Sequence, residues 1–153
     1  MKRVWIYQSN RFLQDEEIAR IEDVLSEFVE QWTAHGNQLA GSFSIRYGLF
    51  LMLMVDEEKA MVTGCSIDKS VHLLKKIEQE LGISLFDRMQ IAFRDPNSGN
   101  INIVGRDTFS SLVKDGLVHA DTIVFNNMLT LVNELDEKWE VPLKDSWHAR
   151  VFL

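Results

Sequence analysis

Residues 39–57 read LAGSFSIRYGLFLMLMVDE, and the pattern of apolar residues changes halfway along this stretch. Its first half alternates, with Phe43, Ile45 and Tyr47 on one side, which is the pattern of a half-buried β-strand. Gly48 then leads straight into an apolar run without alternation, which is typical of a strand buried on both faces. The stretch therefore predicts a β-hairpin whose second strand is central in a sheet.

A strand and a helix precede this hairpin. Residues 3–8, RVWIYQ, alternate and carry aromatic and β-branched side chains, so they predict a first strand. From Asp15 to about Ala34 the apolar residues recur at helical spacing, behind a first turn whose acidic residues suit the positive end of the helix dipole. Gly36 is placed to end this helix, and His35 suits its negative end as a C-cap residue. The apolar stripe consists of Ile18, Ile21, Leu25, Phe28, Val29 and Trp32.

A second amphipathic helix follows the hairpin. The spacing predicts a helix that begins at Ser66 or Asp68, runs to Leu81 and stops at Gly82. Its inward residues are Ile67, Val71, Leu74, Ile77 and Leu81, and its outer face carries Lys69, Lys75, Lys76 and Glu80.

The last third of the chain predicts a second hairpin and two helices. Residues 89–93, MQIAF, and 101–105, INIVG, flank a loop that is dense in turn formers. A short helix is predicted over Asp107 to Asp115, and a longer one from Asp121 as its N-cap. In the longer helix the apolar residues in register are Val124, Met128, Leu131 and Leu135.

This order of elements indicates an α+β fold in a single domain, residues 1–153. We predict a mainly antiparallel sheet with a ferredoxin-like βαββαβ core, helices on one face, and extra C-terminal helices, because this arrangement buries one sheet face under helices most simply.

Composition limits the classes of function. The chain has 153 residues, of which 46% are hydrophobic and 25% charged, as in ordinary soluble globular proteins. The formal net charge of -7 argues against a nucleic-acid partner, because phosphate binding needs a surplus of Lys and Arg on one face. The longest apolar run is too short to span a membrane and the N-terminus is too polar for a signal peptide, so we expect no membrane partner and a cytoplasmic location. The single cysteine excludes an intramolecular disulfide, the histidines lack metal-ligand spacing, and we expect no metal and no other cofactor.

The only cysteine, Cys65, lies in TGCSIDKS, residues 63–70, where the second helix starts. A thiol at a helix N-terminus meets the positive end of the dipole and unpaired backbone N–H groups, which stabilise a thiolate. Three interpretations stay open. Cys65 is a nucleophile; or the N–H groups, with Ser66 and Lys69, hold a phosphate or carboxylate; or Cys65 is a small buried hydrophobe beside a capping Ser66 or Asp68.

A thiol nucleophile needs a base, and His35 and His72 are the available partners. The buried strand that ends at Asp56 also resembles a Walker B segment, which delivers an acid to Mg²⁺. The chain contains no G-x-x-x-x-G-K-[ST], so residues 56–59 are most simply a solvated turn, with a metal-bound carboxylate as the other interpretation. In VTGCSIDKS, residues 62–70, a short strand is predicted before Gly64 and Cys65, and Asp56 also follows a predicted strand end, so Asp56 is a further candidate for ligand binding.

The tryptophans are many for this length, and large amphipathic rings line pockets and dimer interfaces, so a homodimer is a further hypothesis. Trp32 is assigned to the core because it lies on the first helix's stripe. The C-terminal SWHAR, residues 146–150, is either a functional feature or a tail that docks on the sheet.

Several segments together make nearly the whole chain resemble a family of small uncharacterised bacterial proteins. They are VWIYQSNR at 4–11, WTAHG at 32–36, GCSIDKSVH at 64–72, TIVFNN at 122–127, and WEVP with SWHAR near the end. Members of that family often carry the label "ABC transporter ATPase". The chain has neither a P-loop nor an LSGGQ-like signature, so we predict that it is not a P-loop ATPase. The resemblance implies a family and a bacterial origin, and no site residues.

The sequence thus predicts a protein that binds a small anionic ligand or a protein partner near the start of the second helix. The candidate ligand-binding residues are Ser66, Asp68, Lys69 and Asp56. The alternative is a thiol-dependent hydrolase or transferase in which Cys65 is the nucleophile and His35 or His72 the base.

Overall fold

The computed structural model describes all residues of the chain, 1–153. Helices and antiparallel sheets make up the fold, so the predicted α+β class is confirmed. The contacts group the residues into two compact units, each described here by itself. Unit 1 consists of Met1–Phe86 with Thr130–Asn133, and unit 2 consists of Asp87–Leu129 with Glu134–Leu153. The single domain stays a prediction.

Unit 1 contains a three-stranded antiparallel sheet and two long helices. Its elements are β1 (Lys2–Gln8), α1 (Asp15–Gln31), β2 (Thr33–Ala34), β3 (Asn37–Gln38), β4 (Ala40–Arg46), β5 (Phe50–Asp56) and α2 (Gly64–Leu81). The strand order is β1-β5-β4, so β5 is the central strand. The central position explains why the run after Gly48 is apolar at successive residues, and it confirms that prediction.

The hairpin between β4 and β5 closes as the sequence predicted. The N–H of Leu49 donates to the carbonyl of Arg46 at 3.1 Å, and the two residues inside this turn, Tyr47 and Gly48, have φ values of 58° and 61°. Positive φ at both central residues matches the right-handed twist of the strands, and glycine adopts it without strain.

Both long helices pack on the same face of this sheet. Leu51 and Leu53 of β5 point toward that face, and their neighbours across the ladders, Phe43 with Ile45 in β4 and Trp5 with Tyr7 in β1, lie beside them. Residues from α1 and α2 complete the cluster: Ile21, Leu25, Leu74 and Ile77. The alternation in β4 and the apolar stripe of α1 were therefore interpreted correctly. For α2 the prediction holds at Leu74 and Ile77, whereas Ser66 and Ser70 are buried in the first turns in place of the half-buried Ile67 and Val71.

The end of α1 differs from the prediction. The helix ends at Gln31, and Trp32 is its extended C-cap. His35 and Gly36 do not cap it: they form the turn between β2 and β3, with φ values of 50° and 77°. Glycine suits a two-residue hairpin turn with positive φ at both positions, and it equally suits the end of a helix. The sequence alone therefore could not distinguish these two roles of Gly36.

Unit 1 contains the predicted ferredoxin-like core except for its last strand, since β1, α1, β4, β5 and α2 supply the βαββα part. β1, α1 and β4 form a β-α-β unit that is split by β5, as in that fold. The strand predicted at 89–93 does not join this sheet. In its place Leu131 forms an isolated antiparallel bridge with Arg3, and Thr130 accepts a 2.9 Å hydrogen bond from the N–H of Val4.

Unit 2 is a second antiparallel sheet with three helices. Its elements are β6 (Gln90–Arg94), β7 (Ile101–Gly105), α3 (Arg106–Lys114), β8 (Ile123–Phe125), α4 (Leu135–Lys138), β9 (Glu140–Pro142) and α5 (His148–Phe152), and the strand order is β7-β6-β8-β9. The second hairpin and the short helix that follows it are confirmed. The core of this unit consists of Ile91, Phe93, Phe109, Val118, Val124 and Leu143.

The long helix predicted from Asp121 is wrong. Residues 123–125 form β8, which pairs with both β6 and β9, and a short 3-10 turn and the single-turn α4 come only later. The β-branched pair Ile123–Val124 favours a strand, and two flanking strands satisfy its backbone hydrogen bonds. The helical spacing of Val124, Met128 and Leu131 was coincidental.

Candidate functional site

The side chains of Thr63 and Ser66 cap the N-terminus of α2. Thr63 is the N-cap, and its Oγ1 accepts a 3.1 Å hydrogen bond from the N–H of Ser66. In return the Ser66 hydroxyl oxygen accepts from the Thr63 N–H at 2.8 Å. The prediction that Ser66 or Asp68 caps the helix is therefore wrong by three or five positions. Ser66 is 1% exposed and its hydroxyl serves the cap, so it is not presented to a ligand.

Cys65 is exposed, which contradicts its interpretation as a small buried hydrophobe. It lies in the first turn of α2, and its side chain takes no part in the cap formed by Thr63 and Ser66. Lys69, His72 and Lys76 follow it at spacings of four, three and four residues, which place all of them on one helix face. We call this face of α2 the basic stripe: Cys65, Lys69, His72 and Lys76.

A shallow groove of about 290 Å³ runs beside the basic stripe. Its lining residues on α2 are Lys69, His72, Leu73 and Lys76, and those at the end of α1 are Phe28, Gln31 and Trp32. Its volume is at the lower limit of small-molecule sites, which are usually 300 Å³ or more. The groove combines cationic side chains on one wall with aromatic rings on the other.

Two contacts hold α1 antiparallel to α2 and so define the groove. The indole N–H of Trp32 donates to the carbonyl of Ser66 at 2.8 Å, at the end where the groove lies. At the opposite end the Arg20 guanidinium donates to the Glu80 carboxylate at 2.7 Å. The same ion pair raises the pKa of Arg20, first through the hydrogen bond from its side chain to Glu80.

The basic residues of the groove have no charged or polar side-chain partner within the protein. Lys69, His72 and Lys76 are exposed and make no ion pair or hydrogen bond with another side chain. They gather although the whole chain has a net charge of -7. Asp68 is the acidic residue next to the stripe on α2, and Gln31 offers an amide from the other wall.

The structure does not join Cys65 to either candidate base. His72 lies on the same face as Cys65, but two helical turns put about 10 Å of axial rise between them. His35 is exposed in the turn between β2 and β3, and no hydrogen bond links it to Cys65. A thiol–imidazole pair needs a separation of about 3 Å, so no such pair is assembled here.

The acidic residues after β5 form a capped turn. Asp56 lies at the end of β5, and its carboxylate accepts a 3.2 Å hydrogen bond from the N–H of Glu58. Glu57 accepts from the N–H of Val62 at 3.0 Å, and its carboxylate is 3.8 Å from the Arg3 guanidinium. No group of three or more His, Cys, Asp or Glu side chains is arranged to hold a metal ion. Glu58 and Lys59 are exposed, as a solvated turn requires, but the Glu57 side chain is only 4% exposed, so that interpretation is wrong for Glu57. Asp56 is half-buried, and nothing brings it into the groove.

A larger groove, of about 380 Å³, lies in unit 2 between α3 and the β6–β7 hairpin. Its only charged lining residue is Asp95, and several of its other side chains are apolar, among them Val104, Leu112 and Leu117. Backbone N–H groups of Ser98 and Asn97 lower the pKa of the Asp95 carboxyl, so it carries a negative charge. This groove has the wrong charge for an anion despite its size.

The sequence indicated some of these groove residues and missed others. Lys69 and His72 were candidates, whereas Lys76, Phe28 and Gln31 were not. The spacing of 65, 69, 72 and 76 was visible as a helical repeat, but only the apolar repeat of the same helix was used. The aromatic wall could not be derived, because it depends on how α1 packs against α2.

Comparison with protein families, curated proteins and solved structures finds no match for this chain. The resemblance to small bacterial proteins therefore stays a prediction, as does the exclusion of a P-loop ATPase. No helix is long and apolar enough to cross a bilayer.

Proposed function

We propose that this protein binds a small anionic ligand in the groove between α1 and α2. The observation that carries the proposal is the alignment of Lys69, His72 and Lys76, without partners of their own, along one wall of that groove. The exposed ammonium groups of Lys69 and Lys76 repel each other, and a bound anion would offset this repulsion.

The groove also indicates the shape of the ligand. Lys69 and Lys76 are two helical turns apart, about 10 Å along the axis, which suits an extended anion or one with two anionic groups. On the opposite wall the half-buried Phe28 offers aromatic surface to an apolar or planar part of the same molecule, and the buried Trp32 supports the Phe28 ring from behind. A phosphate or carboxylate carried on a small organic group, such as a nucleotide, combines these features. A cytoplasmic location, predicted from the sequence, agrees with such a metabolite.

The test is thermal unfolding with a panel of anions: inorganic phosphate, pyrophosphate, citrate and nucleoside monophosphates. A ligand at 100 times its Kd stabilises the folded state by about 2.7 kcal/mol, which raises the Tm of a domain of this size by several degrees. Lys69→Gln with Lys76→Gln is expected to weaken binding at least tenfold. If the panel gives no shift at millimolar concentration, the proposal fails.

Lys75→Gln is the matched control for the lysine variants. Lys75 is exposed on the same helix and next to Lys76, but it does not line the groove. Lys75→Gln removes one positive charge, as Lys69→Gln or Lys76→Gln does alone, but a quarter turn away, so the ligand-induced shift should persist. An equal loss in Lys75→Gln would mean that the ligand responds to net charge rather than to this groove.

The alternative is a thiol-dependent hydrolase or transferase that uses Cys65. The exposure of Cys65 at one end of the basic stripe favours it, and the distance to His72 argues against it. Cys65→Ala should abolish any such activity and leave anion binding unchanged. Because Cys65 and Lys69 are one helical turn apart, a bound anion should also slow the alkylation of Cys65 by iodoacetamide.

A further inference from the structure

The outer edge of β7 is an unpaired strand edge. β7 pairs only with β6, and in the turn that joins them the N–H of Asp95 donates to the carbonyl of Asn100. Hydrogen-bonded pairs alternate along an antiparallel ladder, so the pairs that bond across it are Phe93 with Asn102 and Ile91 with Val104. The N–H groups of Ile101, Ile103 and Gly105 consequently point away from the sheet, and no backbone acceptor reaches them.

The two edges of this sheet differ in how they are protected. The edge strand β9 is only three residues long and contains Pro142, which cannot donate to an added strand. β7 reads INIVG, with no charged residue and no proline, although these are the usual means of keeping an edge from pairing. An unprotected edge of this kind is suited to pairing.

We propose that β7 pairs with β7 of a second copy of this chain, in antiparallel orientation around a twofold axis at Ile103. In that register the two Ile103 residues exchange both backbone hydrogen bonds, and Ile101 of each copy faces Gly105 of the other. The outward backbone N–H and C=O groups of one β7 therefore pair with those of the other. The joined sheet is continuous across both copies.

Charge complementarity favours a second copy over an unrelated strand. In this register the hairpin end of one β7, at Asn100, meets the α3 end of the other, at Arg106. The hairpin carries the ionised Asp95, since the charge of Arg94 is offset by its ion pair with Glu140. The other end carries the exposed Arg106 and the positive terminus of α3, which together exceed the charge of Asp107. The twofold axis repeats this attraction at both ends.

The groove of unit 2 provides side-chain contact for the added strand. Asn102 and Val104 lie on the α3 face of β7 and line that groove. Opposite Asn102 the second copy places its own Val104, beside the exposed Leu117. A five-residue strand and its groove bury less than the standard interface of about 1,600 Å², so we expect a reversible dimer with a Kd of tens of micromolar.

The experiment is sedimentation of the full chain from about 1 to 500 µM, together with amide hydrogen exchange at the same concentrations. We expect a monomer–dimer equilibrium. The amides of Ile101, Ile103 and Gly105 should exchange rapidly when dilute and become protected as the dimer forms. A monomer throughout this range overturns the proposal, and so does a dimer that leaves these amides unprotected.

Two variants locate the contact. Arg106→Glu should raise the dimer Kd at least fivefold, because it replaces a positive by a negative charge opposite Asn100 of the second copy, at the hairpin end that carries Asp95. Lys114→Glu, at the other end of α3, is the matched control and should have no effect. Ile103→Pro removes an N–H that bonds nothing within one copy, so each copy should fold and sediment as a monomer. Equal effects of the two charge reversals would contradict the assigned register.

Discussion

His148 is a buried histidine, and its burial makes the stability of the protein sensitive to acid. It is 2% exposed, its Nδ1 lies 2.7 Å from the Ser146 hydroxyl oxygen, and its ring stacks on Trp147 at 3.8 Å. Burial lowers the pKa of His148 from its ordinary 6.5 to about 4, so the ring is neutral at pH 7. Ser146 is also buried. The pair is thus closed to a substrate, and the segment SWHAR is a tail fixed in the core of unit 2.

The low pKa of His148 predicts an acid-sensitive stability. Below pH 6.5 the unfolded chain takes up a proton that the folded chain refuses until about pH 4, so stability falls through this window as the pH falls. We expect the free energy of unfolding to drop by about 1–2 kcal/mol between pH 7 and pH 5 from this residue. Urea unfolding at each pH measures it.

Two histidine variants isolate that effect. His148→Gln removes the titrating ring, and the decline between pH 7 and pH 5 should become shallower by the amount given above. His72→Gln changes an exposed histidine of the basic stripe and should leave the decline as it is. A wild-type slope that survives in His148→Gln would assign the acid sensitivity to other groups.

At the scale of elements, α1 and α2 are joined by Trp32. Its ring is buried against Phe28, with centroids 5.0 Å apart, and its N–H bonds the first turn of α2. Gly41 of β4 allows this, since a Cβ there would come within 3.1 Å of the ring at Cε3. The aromatic wall of the groove therefore depends on one side chain that three elements hold in place.

Trp32→Phe tests the hydrogen bond by which Trp32 connects α1 to α2. It deletes the indole N–H and leaves the Ser66 carbonyl with one hydrogen bond fewer in a buried place, which costs about 1–2 kcal/mol beyond the lost volume. Trp5→Phe deletes the same atoms from a partly buried ring that contacts Arg3 and Trp32 but makes no indole hydrogen bond, so its loss contains the volume effect and the weakened ring contacts without that bond. Chemical denaturation should show the larger loss in Trp32→Phe; equal losses would deny the hydrogen bond its role.

The sequence predicted the elements whose local pattern of apolar and polar residues matches their burial in the fold. β4 and β5 were found because alternation and a continuous apolar run are visible in residues 39–57, and α2 because its stripe ends at Gly82, which has a φ of 64°. β8 was missed because three residues carry too short a period, and its strand form depends on partners distant in sequence. The spacing of the basic stripe is visible in the sequence, although only two of its basic residues were candidates, whereas its groove depends on the packing of two helices.

At the scale of the whole molecule, the two units interleave along the chain. Unit 1 takes residues 130–133 from a part of the sequence that otherwise belongs to unit 2. No single cut in the chain separates them. The returning segment satisfies one backbone group on the outer edge of β1, through the 2.9 Å hydrogen bond from the Val4 N–H to the carbonyl of Thr130.

This returning segment predicts unequal hydrogen exchange along β1. Ser9 donates to Leu49 across the ladder, and the alternation then turns the amides of Val4 and Ile6 outward, away from β5. Val4 has Thr130 as its acceptor and Ile6 has no backbone acceptor, so the Val4 amide should exchange more slowly by an order of magnitude or more. Residue-resolved exchange by NMR measures both in one sample, with the Trp5 amide, bonded to β5, as the protected reference. If Val4 exchanged as fast as Ile6, the segment 130–133 would not be held against β1 in solution, and residues 1–86 would make up unit 1 alone.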